Sequence, residues 1–516
     1  MLVDINVNPY SNKQLLLFPA SIGDYLREDD LAHVVDEAVE EIDIAPYYRK
    51  ISSVGNPSYH PALMLKIWFY GYATKTYSSR KIEEKLHKDV AFIYLAGMQK
   101  PDFKAISEFR RKNLSELKNS FIDILQICHR LGLTGLGEIS IDSKIMKANA
   151  SISRTYGRKK LAREQEEIES AIQEYLEKAN QTDIEENKRY GTNGRDNELP
   201  QEIRSKSDRI RKMKQIREEL KQIGECLKDR NSINLTDKDA GVQKDKFRKT
   251  AGYRSQVAVD SKQQIIVGNN VTSKSVDTQE LIPMTEQVIE NIKNLEPIET
   301  KKGIKEEKIK ILADSGYSSG ENLAQLEKRS NIDAYIPDMR YQGKKRGRKT
   351  DEGYEFHSSN FIYNREENYC VCPEGKTLNF IKRMRHHDKE YLLYKSLNCR
   401  GCRHFEVCAN GRKSKYIWVS KDRHFVERMR QKLSTKEGKK TYGLRKITVE
   451  PVLGNLSQNL GFREFLLRGL EKVRGEYSLM CTAHNILKIA KFLRQQGVKL
   501  KECLSMPELV AVQNTS

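Results

Sequence analysis

Two short apolar segments, far apart in the chain, each run into an aspartate, and this pattern constrains the fold more than any other feature. In GEISIDSKIMKANAS, Ile139 and Ile141 alternate with polar neighbours as a half-buried strand does, which puts Asp142 on the other face. In KIKILADSGYSS, Ile309, Ile311 and Leu312 make a short buried strand with Asp314 at its end. The following Gly316, Tyr317 and Ser318 read as the turn into a helix, with Ser318 and Glu321 as its capping box. An acid at the carboxyl end of a strand, just before a helix, is where open α/β sheets put their ligands. A third acid, Glu450, stands in RKITVEPVLGNLSQNLGF, where Val449, Leu453, Leu456 and Leu460 recur at helical spacing. Pro451 suits a first helical turn, so Glu450 is expected to project from the start of a helix.

Taken singly, each acid reads as solvated surface or as a turn residue. Aimed into one pocket, three carboxylates suffice to hold two divalent ions, because hard cations such as Mg²⁺ or Mn²⁺ take oxygen ligands and keep waters for a substrate phosphate.

The words around these acids resemble the DDE transposases of bacterial insertion sequences, in particular the group usually numbered eleven eighty-two. The resemblance runs over nearly the whole chain in family order: HPALMLKIWFYGYATKTYSSRKIEEKL, PDFKAISEFRR, IDSKIMKANAS, YRSQVAVDSKQQIIVGNNVTSKSVDTQEL, ADSGYSS, a cysteine segment and VEPVLGNLSQNLGFREFLLRGLEKV. It implies an α/β (α+β) fold, a ribonuclease-H-like mixed sheet flanked by helices, with Asp142, Asp314 and Glu450 as the catalytic, metal-binding triad. It also implies two Mg²⁺ (or Mn²⁺) ions, strand cleavage by water and strand transfer by the freed 3′-hydroxyl. Double-stranded DNA, both element ends and target, is the implied partner, and a homodimer or higher oligomer the implied state. The chain departs from the family at Ser457, seven residues after Glu450, where relatives usually carry Lys or Arg. Arg463 or another basic residue is then the substitute, and Arg445 and Lys446 resemble further basic positions of the family. A metal-dependent nuclease that cuts without joining, and a DNA-binding protein with a decayed centre, are the alternatives.

Charge agrees with a DNA partner. The chain carries 91 Lys+Arg against 71 Asp+Glu, a net charge of +20 that favours polyanions through counterion release. One basic cluster, Lys344, Lys345, Arg346, Arg348 and Lys349, follows the second acid and reads either as a solvated loop or as a backbone contact. From about 20 to 135 the pattern is helical, in three stretches broken near Ser78 and Pro101. Arg80, Lys81, Arg110, Arg111 and Lys112 are expected to be exposed between its apolar stripes, as in a helical DNA-binding module, although a plain helical bundle gives the same stripes.

Between the first two acids, Leu161, Ile168 and Tyr175 recur every seventh residue, and apolar residues from Ile203 to Leu227 recur by threes and fours. An antiparallel helical hairpin is expected there, its polar tip a charged low-complexity stretch. YRSQVAVDSKQQIIVGNNV reads as two strands turning at Asp260 to Gln264, flanking the strand of Asp142, with a helix over DTQELIPMTEQVIENIKNL packed on them. Asp260 and Asp277 read as turn and capping residues.

Five of the nine cysteines fall in one segment. Cys372, Cys399, Cys402 and Cys408 have the reach of a tetrahedral structural Zn²⁺, with Cys370 or His404 as replacements and a set of unliganded thiols as the bland reading. The remaining cysteines lie in helical patterns and read as packing residues.

The expected organisation is a helical DNA-binding domain over 1–135, the first catalytic strand in 136–155, a hairpin insertion over 156–245, and the continued catalytic domain over 246–340. A basic and cysteine-rich insertion over 341–440 and C-terminal catalytic helices over 441–516 complete it. No run of eighteen apolar residues exists and the start lacks the blocks of a signal peptide, so no membrane partner and a cytoplasmic, nucleoid-associated protein are expected.

Overall fold

Strand β1 (Glu138–Lys147) runs through the middle of a mixed sheet because its apolar residues are covered on both faces: Ile139, Ser140 and Ile141 are all buried. In the computed structural model, which describes residues 21–51, 57–190, 232–244, 248–295, 308–338, most of 356–411, 414–505 and scattered positions of 211–227, β1 pairs antiparallel with β5 (Lys249–Asp260) and parallel with β7 (Ile309–Ala313). On one side β5 pairs with β6 (Ile266–Thr272) and with the short β4 (Gly241–Lys244), and on the other β7 pairs parallel with β8 (Ile332–Tyr335). The order β6-β5-β1-β7-β8, antiparallel in its first half and parallel in its second, is that of a ribonuclease-H-like sheet. Two short strands, β2 (Thr155–Gly157) and β3 (Ser232–Asn234), pair with each other away from it.

The expected β5–β6 hairpin is present, and helix Leu281–Lys293 covers it with Leu281, Met284 and Val288 buried. Asp260 makes its turn by accepting from the backbone N–H groups of Gly135, Leu136 and Lys262.

Two compact units partition the chain, one from Thr134 to Tyr477 and one of the residues up to Leu133 together with those from Ser478 onward. The C-terminal helices, expected at 441–516 to complete the catalytic domain, are thus divided between the units.

Helix Pro61–Ala73 forms the centre of the smaller unit. It is apolar nearly all round, with Leu65, Ile67, Trp68, Phe69 and Tyr72 fully buried, and it starts where Pro61 occupies the first turn and His60 accepts from the Ala62 N–H. Both longer helical stretches expected after it are cut in two, the first by a side-chain cap and the second at Asn113, whose side chain donates to the Phe109 carbonyl at 2.9 Å. Asp89 accepts from the Ala91 N–H to start Val90–Leu95 apart from Ser79–Lys85, and Asn113 separates Phe103–Lys112 from Leu114–Arg130.

The insertion after β1 begins with helix Arg158–Tyr190. At its base Leu161 packs with Leu227 and Ile233, beside Tyr156 and Ile223, so the two arms expected of a hairpin leave from one small core. Its tip lies outside the described residues.

The cysteine-rich insertion is a second, fully antiparallel sheet in the order β13-β12-β11-β10-β9 (Tyr416–Ser420, Lys389–Ser396, Thr377–His386, Tyr369–Val371, Ile362–Asn364). Phe361, Cys370, Leu378, Tyr394, Ile417 and Val419 make its core. The basic residues Lys344, Lys345, Arg346, Arg348 and Lys349 lie outside the described residues.

Candidate active site

Parallel pairing of β1 and β7 ends at the register Ile141↔Ala313, and the next residue on each strand is an acid. Asp142, in the middle of β1, and Asp314, just past the carboxyl end of β7, are therefore neighbours at the point where the parallel pairing stops, the side on which such sheets bind their ligands. Asp314 leaves the strand and caps a single turn, Ser315–Tyr317, by accepting from the Gly316 N–H at 2.7 Å. Two residues on, a side chain would crowd the site: a Cβ on Gly316 would stand 2.9 Å from the Asp314 carboxylate. The helix that follows is capped by Ser319, which accepts from the Asn322 N–H, one residue later than the expected Ser318 box, because the turn of Asp314 takes up the extra residue.

Glu450 arrives from helix Lys436–Gly454. It stands near the end of that helix, contrary to the expected start, and Pro451 lies inside it. Pro451 has no N–H to offer the Ile447 carbonyl four residues back. That carbonyl instead accepts from the Gln264 side chain at 2.8 Å, and the helix passes into a π turn at Asn455–Asn459, a widening often found at functional sites.

Arg445 joins the acids. Its Nη1 donates to Asp142 at 2.7 Å and its Nη2 to Glu450 at 3.0 Å, with only 11% of the side chain exposed. The Arg445 guanidinium thus stands among the carboxylates, while Lys446, the other position that resembles a basic position of the family, is exposed. Burial pushes the Asp142 carboxyl up to about 6, opposed by Arg445 and helped by Asp314. Burial also raises Asp314, opposed by the Gly316 N–H and Arg445. For Arg445 burial works against the charge, and Asp142, Tyr442, Asp314 and Glu450 together outweigh it and raise its pKa.

Ser457 lies buried in the π turn, donating to the Leu453 carbonyl at 2.7 Å and accepting from Lys144. Arg463 bonds the Ser457 carbonyl at 3.2 Å. Lys144 was not singled out in the sequence, although its place two residues after Asp142 puts it on the same face of β1. Asp277 also comes close, paired with Arg254 and accepting from Gln256 at 3.0 Å, with Asp314 feeling its charge. Its capping reading misses this, because the contact needs β5 and the segment before helix Leu281–Lys293 to be brought together.

In the helical unit Arg80 and Lys81 are exposed, and Arg80 lies over the Phe103 ring at 4.8 Å. Arg111 and Lys112 are exposed and both pair with Glu108. Arg80, Lys104 and Arg111 line one shallow groove with Ser78, Phe103 and Ser107. Arg110, expected to be exposed with them, is 5% exposed: it lies 4.3 Å over the Trp68 ring and donates to the Tyr72 hydroxyl at 2.9 Å. The helical period points position 110 inward, towards helix Pro61–Ala73.

Cys372, Cys399, Cys402 and Cys408 line one hollow with Glu374, Lys376 and Lys415. Burial raises the Cys408 thiol, Lys415 opposes it, and the other three cysteines add to it. Cys370 belongs to the sheet core, and His404 lies 4.9 Å from the Phe356 ring with Glu374 at 3.5 Å. Among the described residues no three His, Cys, Asp or Glu side chains are gathered closely enough to hold an ion, at either the acids or the thiols. The donor chemistry fits in both places: hard carboxylate oxygens for Mg²⁺ at Asp142, Asp314 and Glu450, and soft thiols for Zn²⁺ in the hollow. No described helix is long and apolar enough to cross a membrane.

Comparison with known proteins gives two family matches. Residues 371–490, which include Glu450 but neither aspartate, match the family described as transposase DDE domain. Residues 20–112 match the family described as transposase domain (DUF772). No curated protein matches the chain.

Proposed function

The chain is an insertion-sequence DDE transposase, an enzyme that acts on DNA, and from that premise we propose that Asp142, Asp314 and Glu450 form a two-metal centre that cuts and joins DNA strands at the ends of its own element. The observation that carries this reading is the adjacency of Asp142 and Asp314 where the parallel pairing of β1 and β7 stops, with Glu450 tied to Asp142 through Arg445. Bound divalent ions supply Lewis acidity at the phosphate and lower the pKa of an attacking water. The chain's own part is to hold that charge. Arg445 holds Asp142 and Glu450 together, and these two carboxylates with Asp314 would hold the ions. Water attacks a phosphodiester and the 3′-oxygen leaves with a proton. The same 3′-hydroxyl then attacks a phosphodiester of target DNA, so one set of carboxylates serves hydrolysis and strand transfer.

Arg80, Lys81, Arg111 and Lys112 of the helical unit are the proposed contacts to the terminal inverted repeats, with Lys446 and Arg463 touching phosphates near the centre. The proposed assembly is a homodimer or higher oligomer working at the nucleoid in the cytoplasm. Cys372, Cys399, Cys402 and Cys408 are proposed to hold a structural Zn²⁺, which stabilises the small second sheet and does no chemistry. Native mass spectrometry with and without chelator checks this: loss of one zinc is expected, and an unchanged mass sinks it.

The catalytic reading is tested on a plasmid carrying the gene's flanking ends. Asp142→Ala, Asp314→Ala and Glu450→Ala are each expected to lower Mg²⁺-dependent cutting by roughly a thousandfold with DNA binding retained. Normal cutting by any of them removes that residue from the mechanism. Pre-cut ends supplied with a target plasmid should give joined products, and shortened fragments alone would make the enzyme a nuclease.

A further inference from the structure

Lys144 and Arg463 converge on one serine, and neither pairs with a carboxylate among the described residues. The fold brings them together by a specific route. The chain after the π turn comes back alongside the end of β1, where the Lys147 N–H donates to the Arg463 carbonyl at 3.2 Å and the Phe465 N–H to the Lys147 carbonyl at 2.9 Å. Arg463 then bonds the Ser457 carbonyl through its Nε, leaving its two Nη groups for another partner. Lys144 donates to the Ser457 hydroxyl, which is itself fixed by the Leu453 carbonyl. Lys144 is half-buried, and Arg463 is bonded to the same serine.

A half-buried cation held beside another cation with no acid is unfavourable in the isolated protein. An anion delivered between the two would offset that cost. Asp142 lies two residues earlier on the same face of β1, roughly 7 Å away along the strand. At about 3.4 Å of rise per nucleotide in one DNA strand, an anion at Lys144 and a phosphate at the acids are one or two nucleotides apart.

We propose that Lys144 and Arg463 form a phosphate clamp that grips the DNA strand one or two nucleotides from the phosphate under attack. Ser457 is its positioning residue: it holds Lys144 by its hydroxyl and Arg463 by its carbonyl. The clamp rests on the catalytic reading for the identity of its ligand, a non-bridging oxygen of a DNA phosphodiester, and on the side-chain geometry alone for its charge.

The test is a coupling experiment on duplexes ending in the sequences that bracket the gene. Each phosphate near the end is neutralised in turn as a methylphosphonate, and binding is measured by fluorescence anisotropy without divalent ions. At one phosphate, neutralisation is expected to weaken wild-type binding about tenfold, the size of one charge-assisted hydrogen bond, and to leave Lys144→Met unchanged. Lys144→Arg should keep the coupling. Arg463→Gln, exposed and unable to disturb the core, should couple to the same phosphate or its neighbour. Independent, additive losses at every phosphate for both Lys144→Met and Arg463→Gln overturn the clamp. The two readings fail separately. Coupling in a protein that never cuts DNA keeps the clamp and removes the catalytic assignment, and normal cutting and joining without coupling does the reverse.

Discussion

Arg110 and Lys144 are both basic, both withdrawn from water, and both embedded in segments that the sequence ties to DNA, yet the fold treats them oppositely. In the helical unit Arg110 is answered by the chain itself, by the Trp68 ring and the Tyr72 hydroxyl. In the catalytic unit Lys144 meets a serine that a second cation, Arg463, also bonds. Arg445 is a third case, a cation answered twice, by Asp142 and Glu450. A count of basic residues along a sequence therefore measures attraction to DNA only loosely, because some of that charge is neutralised inside the protein. Charge available to a ligand is charge the fold leaves without a partner.

The strongest way to break this comparison is to remove the cation with the most partners. Arg445→Ala leaves Asp142 and Glu450 without their shared counter-ion, and a loss of about 3 kcal/mol is expected in urea unfolding of the metal-free protein in mildly alkaline buffer. Adding Asp142→Asn should recover part of it, since the buried carboxylate then carries no charge. A loss no larger than that of a surface arginine would mean that the bridge between the acids contributes nothing to the metal-free state.

Arg110 gives the next largest effect. Arg110→Ala removes a buried hydrogen bond and a cation held over an indole, for an expected loss of about 2 kcal/mol. Its neighbour Arg111, exposed and paired with Glu108, should cost no more than about 0.5 kcal/mol on the same substitution, and should weaken DNA binding instead. If the two arginines exchanged these outcomes, the assignment of one to the core and the other to the DNA would be reversed.

These contrasts mark what was legible in the sequence. The strands of Asp142 and Asp314 were, because period-two alternation and a short apolar run survive in any context, and the β5–β6 hairpin was legible for the same reason. Of the three acids expected to act together, Asp142 and Asp314 are adjacent in the fold and Glu450 joins Asp142 through Arg445. What was not legible depended on long-range pairing. Glu450 was placed at the start of a helix because Pro451 favours a first turn. The helix continues through that proline because Gln264, from a distant turn, takes the freed Ile447 carbonyl. Arg445, Lys144 and Asp277 could not be assigned from their neighbours in sequence, because Asp142, Ser457 and Arg254, which they meet, lie on other elements. Even Arg110 was misread as exposed, although the same helical period that aligns apolar residues also aligns a buried arginine stem.

The finest test applies the same contrast to acids of the helical unit, where, among the described residues, Glu116 has a cation and Asp123 has none. For Glu116 burial raises the carboxyl, but hydrogen bonds from Lys50 and Ser115 outweigh it and hold the group below its ordinary value. For Asp123, on the same helix, burial and the nearby Asp43 push the carboxyl up to about 6. The two signs differ. A lowered carboxyl adds stability that is present above its unfolded pKa and is lost as pH falls through the folded one. A raised carboxyl binds its proton more tightly when folded, so its contribution is complete below about 4, the unfolded value, and is lost as pH rises through about 6. Asp123→Asn removes a charge that the folded protein disfavours. The variant should therefore melt higher than the parent above pH of about 6, and the gap should close steadily between about 6 and 4. Melting temperatures of both proteins across that range decide the matter. A gap that stays constant with pH, or that opens on acidification, would mean that Asp123 is answered by a partner after all.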